Sequence, residues 1–328
     1  MITPIEGFSK LTKDQKIEWI AKNYTVNSEE TIQIINRYWN SDDTLQKLHD
    51  EFIENTITNY YLPLGIAPNF LINNKLYAIP MAIEESSVVA AASKAAKFWL
   101  NRGGFKTSVI NTEKVGQVHF MYHGAIAKLE KFFLDIKPIL LEDTAILTKN
   151  MEKRGGGILA IELRNKTKSL EDYYQLHCTF ETQDAMGANF INSCLEQLAT
   201  TLKREFENSN LFTSSQDQLE VVMSILSNYV PNCLVKAEVS CPVSQLSDDK
   251  HITGEEFAKK MVRAVNIAKV EPYRAVTHNK GIMNGIDAVV LATGNDFRAV
   301  EAGIHAYAAK NGQYTSLTNA SVENDIFK

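Results

Sequence analysis

Three charged side chains, Glu85, Lys280 and Asp296, each stand at the predicted edge of a helix or strand among glycines and other small residues. An isolated charge in such a place is costly unless an opposite charge, a hydrogen bond or a ligand compensates it. Carboxyl groups can pass protons, and a fixed ammonium group can stabilise negative charge that develops on a substrate. The three side chains are therefore candidates for catalysis.

The same residues are also consistent with purely structural roles. Glu85 follows an apolar strand and precedes a helix predicted from Ser86, where the helix dipole favours a carboxylate. Lys280 is predicted in a turn, and a lone lysine in a turn is usually a solvated surface charge. Asp296 is an ordinary N-cap residue for a helix predicted from Phe297. Residue type and spacing alone leave both kinds of role open.

A fourth block, Asp184–Asn189, lies where a predicted strand leads into a helix. Free backbone N–H groups and the helix dipole attract phosphate at such a place, and Gly187 permits a close approach. The block lacks the GxGxxG pattern of a Rossmann domain, and a tightly packed helix start is at least as common. On its own it is weak evidence for a nucleotide site.

Four blocks in this chain resemble the signature blocks of 3-hydroxy-3-methylglutaryl-CoA (HMG-CoA) reductases of the soluble, bacterial type called class II. The resemblance extends from Gly7 to about Asn319. It implies an oxidoreductase of the mevalonate pathway of isoprenoid biosynthesis, which converts HMG-CoA to mevalonate and free coenzyme A with two hydrides from a nicotinamide cofactor. The blocks are Glu84–Ser93, Asp184–Asn189, Tyr273–Gly281 and Thr293–Asp296.

The resemblance gives the three charged side chains catalytic roles. Lys280 would stabilise the oxyanion of the thioester, Asp296 would orient Lys280, and Glu85 would supply a proton to the aldehyde intermediate. We expect the three to converge, with Glu85 donated across a subunit interface. Ser87 and Arg274 would bind the HMG carboxylate.

Further contacts are implied in the same way. Asn284 would be another polar contact to the substrate, and Asn228 would reach the nicotinamide ribose. In the dinucleotide-binding block the implied contacts are Asp184, Met186, Gly187 and Asn189.

The segment 148–154 bears on the choice of cofactor. Thr148 occupies the place where an NADH-using member of the family carries an aspartate, and Lys149, Lys153 and Arg154 lie nearby. Acids in such a site select NADH and cations select NADPH. We therefore predict NADPH, with NADH as the alternative.

A homodimer or a higher homo-oligomer is also implied. Glu54–Thr58 resembles the family's dimer-forming block, although Thr58 replaces a frequent glycine. Family members bind substrate and dinucleotide at the junction of two subunits.

Periodic patterns predict the elements that position these residues, in an α+β fold. Thr12–Gln15 is typical of a capping box that opens a first helix. Between residues 113 and 227 the order is β-α-β-β-α-β, the ferredoxin-like arrangement. We predict that 113–227 is a small NAD(P)-binding domain inserted into a large substrate-binding and dimerisation domain, 1–112 and 228–328. In the large domain, Ile286–Ala292 is predicted to be a strand.

Composition narrows the function further. The chain has 328 residues and a formal charge of −5, which argues against nucleic-acid and anionic-membrane partners. We find no leader and no apolar run near the roughly 20 residues of a membrane helix, so we expect a cytoplasmic protein. The four cysteines form no CxxC pair and the histidines show no metal-ligand spacing, so we expect reduced thiols and no metal.

Two alternatives stay open from the sequence: a non-catalytic or truncated dimeric scaffold of the same fold, and a ferredoxin-like RNA-binding module. The family's C-terminal flap, with a histidine that protonates the departing thiolate, has no counterpart among the seven histidines. We therefore expect residues 1–328 to be impaired in the full reaction.

Overall fold

The computed structural model describes residues 4–214 and 217–328. Contacts divide the chain into two compact units. One comprises residues 1–64 and 82–84, and the other comprises residues 65–81 and 85–328. The predicted α+β class is confirmed, because helices and antiparallel sheets alternate along the chain.

The first unit is helical. The predicted capping box is present: the Thr12 hydroxyl accepts from the Gln15 N–H, and the Gln15 side chain accepts from the Thr12 N–H. A salt bridge of 2.8 Å joins Lys13 to Asp50. The helices are α1 (Lys13–Tyr24), α2 (Ser28–Arg37) and α3 (Asp43–Asp50).

The second unit begins with a hairpin and a helix. The hairpin turns at Asn73 and Asn74, both in the left-handed region that asparagine tolerates. Its second strand leads into the helix that carries Ser87. The elements are β1 (Leu64–Ile72), β2 (Lys75–Ala82), α4 (Ser86–Leu100) and β3 (Lys106–Thr112).

The middle of the chain forms the predicted ferredoxin-like unit. Its four strands form one antiparallel sheet in which β4 lies between β6 and β7, with β5 outside β6. The elements are β4 (Lys114–His123), α5 (Ile126–Glu152), β5 (Gly157–Asn165), β6 (Tyr173–Glu181), α6 (Ala188–Asn208) and β7 (Gln218–Ser227).

Period-two alternation builds the core of this unit. In β6, Leu176, Cys178 and Phe180 are fully buried on the face that α5 and α6 cover. Leu195 and Leu198 of α6 pack on the same face. Burying these large side chains supplies most of the free energy that holds the two helices on the sheet.

The last part of the chain is mainly helical. Strand β8 pairs antiparallel with β3, and β9, β10 and β11 form a small sheet in the order β10-β11-β9. The elements are β8 (Cys233–Glu238), β9 (Cys241–Pro242), α7 (Gly254–Val270), α8 (Pro272–Ala292), α9 (Phe297–Ala308), β10 (Val322–Glu323) and β11 (Ile326–Phe327).

The predicted strand at Ile286–Ala292 and the predicted turn at Lys280 are wrong. Both lie within α8, one helix of 21 residues. Pro272 stands at its first turn, and the Glu271 side chain accepts from the Arg274 N–H at 2.6 Å. This N-terminus favours a helix. A short apolar, β-branched run such as 286–291 does not distinguish a strand from a helix already under way.

The predicted domain boundaries at 112/113 and 227/228 stay a prediction. Over residues 4–214 and 217–328, no helix combines the length and apolarity needed to span a membrane. The same residues contain no cluster of three histidine, cysteine or acidic side chains that could hold a metal. The four cysteines are free thiols, and Cys178, Cys194 and Cys241 are buried.

Candidate active site

Glu85 and Lys280 meet in this structure. The Lys280 ammonium lies 3.4 Å from Glu85 Oε2, and the Ser87 hydroxyl donates to Glu85 Oε1 at 3.1 Å. Glu85 is the N-cap residue of α4, but its side chain makes no capping bond. Its carboxylate therefore serves Lys280 and Ser87 rather than the helix. The pair forms within one chain, whereas we expected Glu85 from across an interface.

The ion pair is open to solvent. The side chain of Lys280 is 65% exposed and that of Glu85 is 46% exposed. An exposed pair of this kind contributes little to stability, typically about 0–1 kcal/mol. Both charges are therefore accessible to a substrate. Breaking the ion pair when a substrate binds would cost little folding free energy.

Helix α8 sets the direction of Lys280. The preceding side chain, Asn279, is fully buried; it donates to Thr315 O and accepts from Leu317 N–H, each at 3.0 Å. Because neighbouring residues of a helix point about 100° apart, anchoring Asn279 inward turns Lys280 outward. Asn284 lies one turn beyond Lys280 on the same side. Sequence reasoning missed Asn279, although an amide beside a candidate lysine was a signal.

Arg274 and His278 lie on the same helix, one turn apart. Arg274 is in the first turn and is exposed. His278 bonds to the Thr318 hydroxyl, and burial, followed by the Arg274 guanidinium, lowers the pKa of His278. The imidazole is thus neutral at neutral pH, and Arg274 remains the cation at this end of α8.

Asp296 has other partners. Its carboxylate caps α9, accepting from the N–H groups of Arg298 (3.1 Å) and Ala299 (3.2 Å), and it pairs with the Arg298 guanidinium at 3.3 Å. The Ala299 bond, and then Arg298, lower the pKa of Asp296. These hydrogen bonds and the ion pair join Asp296 to α9 rather than to Lys280, so its orienting role stays a prediction.

The dinucleotide block forms the start of α6. Gly187 is the N-cap residue with a left-handed φ of 76°, and no side chain caps the helix. A Cβ at Gly187 would lie 2.5 Å from Thr182 Cγ2, so the position requires glycine. The Thr182 hydroxyl donates to Ala185 O at 2.6 Å and fixes the turn. Uncapped N–H groups and a glycine at the helix start fit a phosphate.

The other predicted contacts of this block are accessible. Met186 is 48% exposed. Asp184 is exposed and Asn189 lies in the first turn of α6. Asn228, directly after β7, is exposed, and its carbonyl oxygen lies against Gly303 of α9, 2.7 Å from where a Cβ would stand. This contact places the end of β7 beside α9.

The region expected to select the cofactor lies at the end of α5. Thr148 is 2% exposed and faces the core, so its hydroxyl is not available to a ribose. Lys149, Lys153 and Arg154 are exposed around it. The cations, rather than Thr148, are the groups able to meet a phosphate.

Comparisons with known proteins show the family of this chain. The profile of the hydroxymethylglutaryl-coenzyme A reductase family matches residues 12–326, and the chain belongs to this family. It is 37% identical to the 3-hydroxy-3-methylglutaryl-coenzyme A reductase of Archaeoglobus fulgidus over 98% of this chain and 69% of that protein. It is also 37% identical to a probable reductase of Borreliella burgdorferi, over 82% of this chain and 59% of that protein.

Solved structures show the same likeness. A 3-hydroxy-3-methylglutaryl-coenzyme A reductase from Streptococcus pneumoniae superimposes with a TM-score of 0.76 at 33% identity, covering 99% of this chain and 74% of that one. The class II enzyme of that organism, bound to NADPH in open conformations, gives a TM-score of 0.75 at 32% identity over 99% and 84% of the two chains. The predicted family is confirmed.

Proposed function

We propose that this chain reduces HMG-CoA to mevalonate and free coenzyme A with NADPH. The observation that carries the proposal is the Lys280–Glu85 pair, 3.4 Å apart and open to solvent, in a member of the reductase family. The overall reaction consumes two hydrides and two protons: the thioester becomes a primary alcohol and the thiolate leaves as a thiol.

Lys280 acts on the oxygen of the substrate. When the thioester carbonyl accepts a hydride, negative charge develops on that oxygen, and an ammonium group fixed beside it lowers the barrier. Collapse of the adduct releases the thiolate and leaves an aldehyde, whose carbonyl Lys280 polarises in the same way. NADPH, when bound, supplies the hydride for each reduction.

Glu85 supplies the proton that converts the alkoxide to the alcohol. The aldehyde becomes an alkoxide on reduction, and a carboxyl group in contact with Lys280 is placed to protonate it. Without substrate, the Ser87 hydroxyl donates to the other carboxyl oxygen of Glu85 at 3.1 Å, and in the proposal this single O–H turns to the substrate carboxylate on binding. In the proposal, Asp296 at the start of α9 orients Lys280 and couples the titration of Lys280 and Glu85.

The far carboxylate of HMG binds to Arg274 and Ser87. A guanidinium group holds a carboxylate through two parallel hydrogen bonds. Asn284, one turn beyond Lys280 on α8, offers a neutral amide to the rest of the substrate. The neutral state of His278 leaves Arg274 and Lys280 as the cations of α8 that meet the anion.

The dinucleotide binds at the start of α6 through Asp184, Met186, Gly187 and Asn189, with Asn228 at the nicotinamide ribose. Support comes from the uncapped helix end and from the glycine that Thr182 crowds. The prediction of NADPH agrees with the NADPH-bound relative. The cations at 149, 153 and 154 provide the charge for the extra phosphate.

A homodimer completes the proposal. In the first unit, Phe52 and Ile53 are each 68% exposed directly before the Glu54–Thr58 block. Large apolar side chains exposed side by side are typical of a surface that another chain covers. We further propose that residues 113–227 act as the dinucleotide-binding domain between 1–112 and 228–328. The family assignment favours this reading over the scaffold and RNA-binding alternatives.

The test is a spectrophotometric assay of NADPH oxidation with HMG-CoA, comparing the unsubstituted chain with Lys280→Met. We expect Lys280→Met to lose at least about 100-fold in turnover, as expected for removal of a group that stabilises an oxyanion. Lys259→Met, at an exposed lysine of α7, is the matched control and should keep the unsubstituted rate. Equal rates for Lys280→Met and the control would refute the role of Lys280.

A further inference from the structure

Two acidic side chains outside the candidate active site face each other between α8 and α9. Asp287 lies little more than one turn before the end of α8, and Glu301 lies little more than one turn after the start of α9. Four residues, 293–296, join the two helices, and α8 packs on α9. Glu301 acts on the Asp287 carboxyl group through a side-chain hydrogen bond and through its charge.

One oxygen of the Asp287 carboxyl group is buried without a hydrogen-bond partner. Its Oδ1 is shielded from solvent and has no donor; within residues 4–214 and 217–328 it is the one buried side-chain oxygen or nitrogen without a partner. Buried polar atoms in native proteins are nearly always hydrogen-bonded, because leaving one unpaired loses the hydration that it had in the unfolded chain.

A shared proton explains how the two carboxyl groups can bond to each other. An ionised carboxylate only accepts hydrogen bonds, so two ionised carboxylates cannot bond to each other. The contact becomes favourable when one of them keeps a proton and donates it to the other. The helices that pack on α8 are α4, α7 and α9, and Glu301 is the charged group on them that acts on Asp287. Burial, followed by the hydrogen bond to Glu301 and the charge of Glu301, raises the pKa of Asp287 to about 6.

We propose that Asp287 and Glu301 share one proton and form a pH-sensitive clamp between α8 and α9. With the proton, one carboxyl group donates to the other and the helices are held together. Loss of the proton to solvent leaves two carboxylates that repel each other and loosens the contact. The clamp lies one turn beyond Asn284 on α8, and α9 begins at Asp296, so it governs the packing of both helices that carry candidate residues. The proposal goes beyond the reductase activity and does not depend on it.

The clamp has a defined pH signature. The pKa of Asp287 is raised in the folded chain, so the folded chain binds more protons than the unfolded chain between pH 3.8 and about 6. The stabilisation is complete below pH 3.8 and is lost as the pH rises through about 6. Asn at position 287 can donate to Glu301 at any pH, so Asp287→Asn should abolish this loss.

Thermal unfolding tests the signature. The unfolding midpoint of Asp287→Asn minus that of the unsubstituted chain should increase between pH 4 and pH 8 by on the order of a few degrees. Glu301→Gln, which can donate to Asp287, should show the same trend. Glu256→Gln, at an exposed acid of α7 that pairs with Lys260, is the matched control and should follow the unsubstituted chain. Parallel pH curves for the unsubstituted chain and both clamp variants would overturn the proposal.

Infrared difference spectroscopy observes the proton directly and needs no comparison of stabilities. The unsubstituted chain should lose the carbonyl band of a protonated carboxyl group as the pH rises through about 6, and both clamp variants should lack that change. A band that is absent from the unsubstituted chain, or that titrates unchanged in both variants, would equally overturn the proposal.

Discussion

The ammonium group of Lys280 and the carboxylate of Glu85 lie 3.4 Å apart although 195 positions separate them in the sequence. Lys280 comes from the middle of α8, and Glu85 comes from the junction of β2 and α4. Neither charge is buried, so folding does not require the pair. The folded chain holds an ammonium group and a carboxylate in contact at its surface, where an exposed ion pair contributes little to stability.

The first prediction concerns Glu85. Glu85→Gln keeps the size of the side chain but removes its proton, so turnover of HMG-CoA should fall by about 100-fold to 10,000-fold. The unfolding free energy should change by less than about 1 kcal/mol because the ion pair is exposed. Glu84→Gln, at the neighbouring exposed acid, is the control and should keep its rate. Similar rate losses in the two variants would show that Glu85 has no special role.

The second prediction concerns Asn279. Replacing it with alanine leaves Thr315 O and Leu317 N–H without their partner, which should lower the unfolding free energy by about 1–3 kcal/mol. Denaturant unfolding measures the change. Asn266→Ala, at an exposed asparagine of α7, should change it by less than about 0.5 kcal/mol. Asn279→Ala with unchanged stability would mean that these two bonds do not fix α8.

The sequence predicted the ferredoxin-like unit well because one face of its sheet is buried. Tyr174, Leu176, Cys178 and Phe180 alternate with polar residues, and that alternation has no other simple explanation. The sequence predicted α8 badly because the pattern of apolar residues near the end of this helix fits a strand and a helix equally well. The hydrogen bonds of Asp296 and Asn279 could not be predicted from the sequence either. Each depends on which backbone groups the folded chain places beside the side chain.

Some long-range contacts of the candidate site could be predicted from the sequence, and others could not. The family resemblance brought Glu85 and Lys280 together, and the structure contains that pair. Thr148 shows the limit: aligned by position it suggested a cofactor contact, but the face of α5 that carries it is buried. The Asp287–Glu301 pair could not be predicted, because two acids 14 positions apart attract attention only once α8 and α9 are known to pack on each other.

The third prediction concerns Gly187. Alanine there would bring a methyl group to 2.5 Å from Thr182 Cγ2 and would hold a φ of 76° that alanine disfavours. The start of α6 must then shift, so the KM for NADPH should rise by about tenfold or more, as for a loss of about 1.4 kcal/mol of binding. Initial rates at varied NADPH concentration measure it.

Substitution of a second glycine distinguishes the effect of backbone strain from that of the contact with Thr182. Gly7 has a φ of 71°, and a Cβ there would meet nothing within 4 Å. Gly7→Ala should therefore carry the backbone strain without moving α6, and its KM for NADPH should stay unchanged. If both variants raise the KM alike, the start of α6 is not the dinucleotide site.

The last prediction concerns the cations at the end of α5. Lys149, Lys153 and Arg154 are exposed and surround the buried Thr148, so an extra phosphate would meet them and not the hydroxyl. Replacing all three with glutamine should raise the KM for NADPH by about tenfold to 100-fold, as for the loss of about 1.4–2.8 kcal/mol of binding. The KM for NADH, which lacks that phosphate, should change less than threefold. Lys131→Gln, at an exposed lysine near the start of α5, is the control and should leave both values unchanged. Because surface charges are screened by salt, the difference between the two cofactors should also shrink as the ionic strength rises. Equal effects on NADPH and NADH would place the extra phosphate elsewhere.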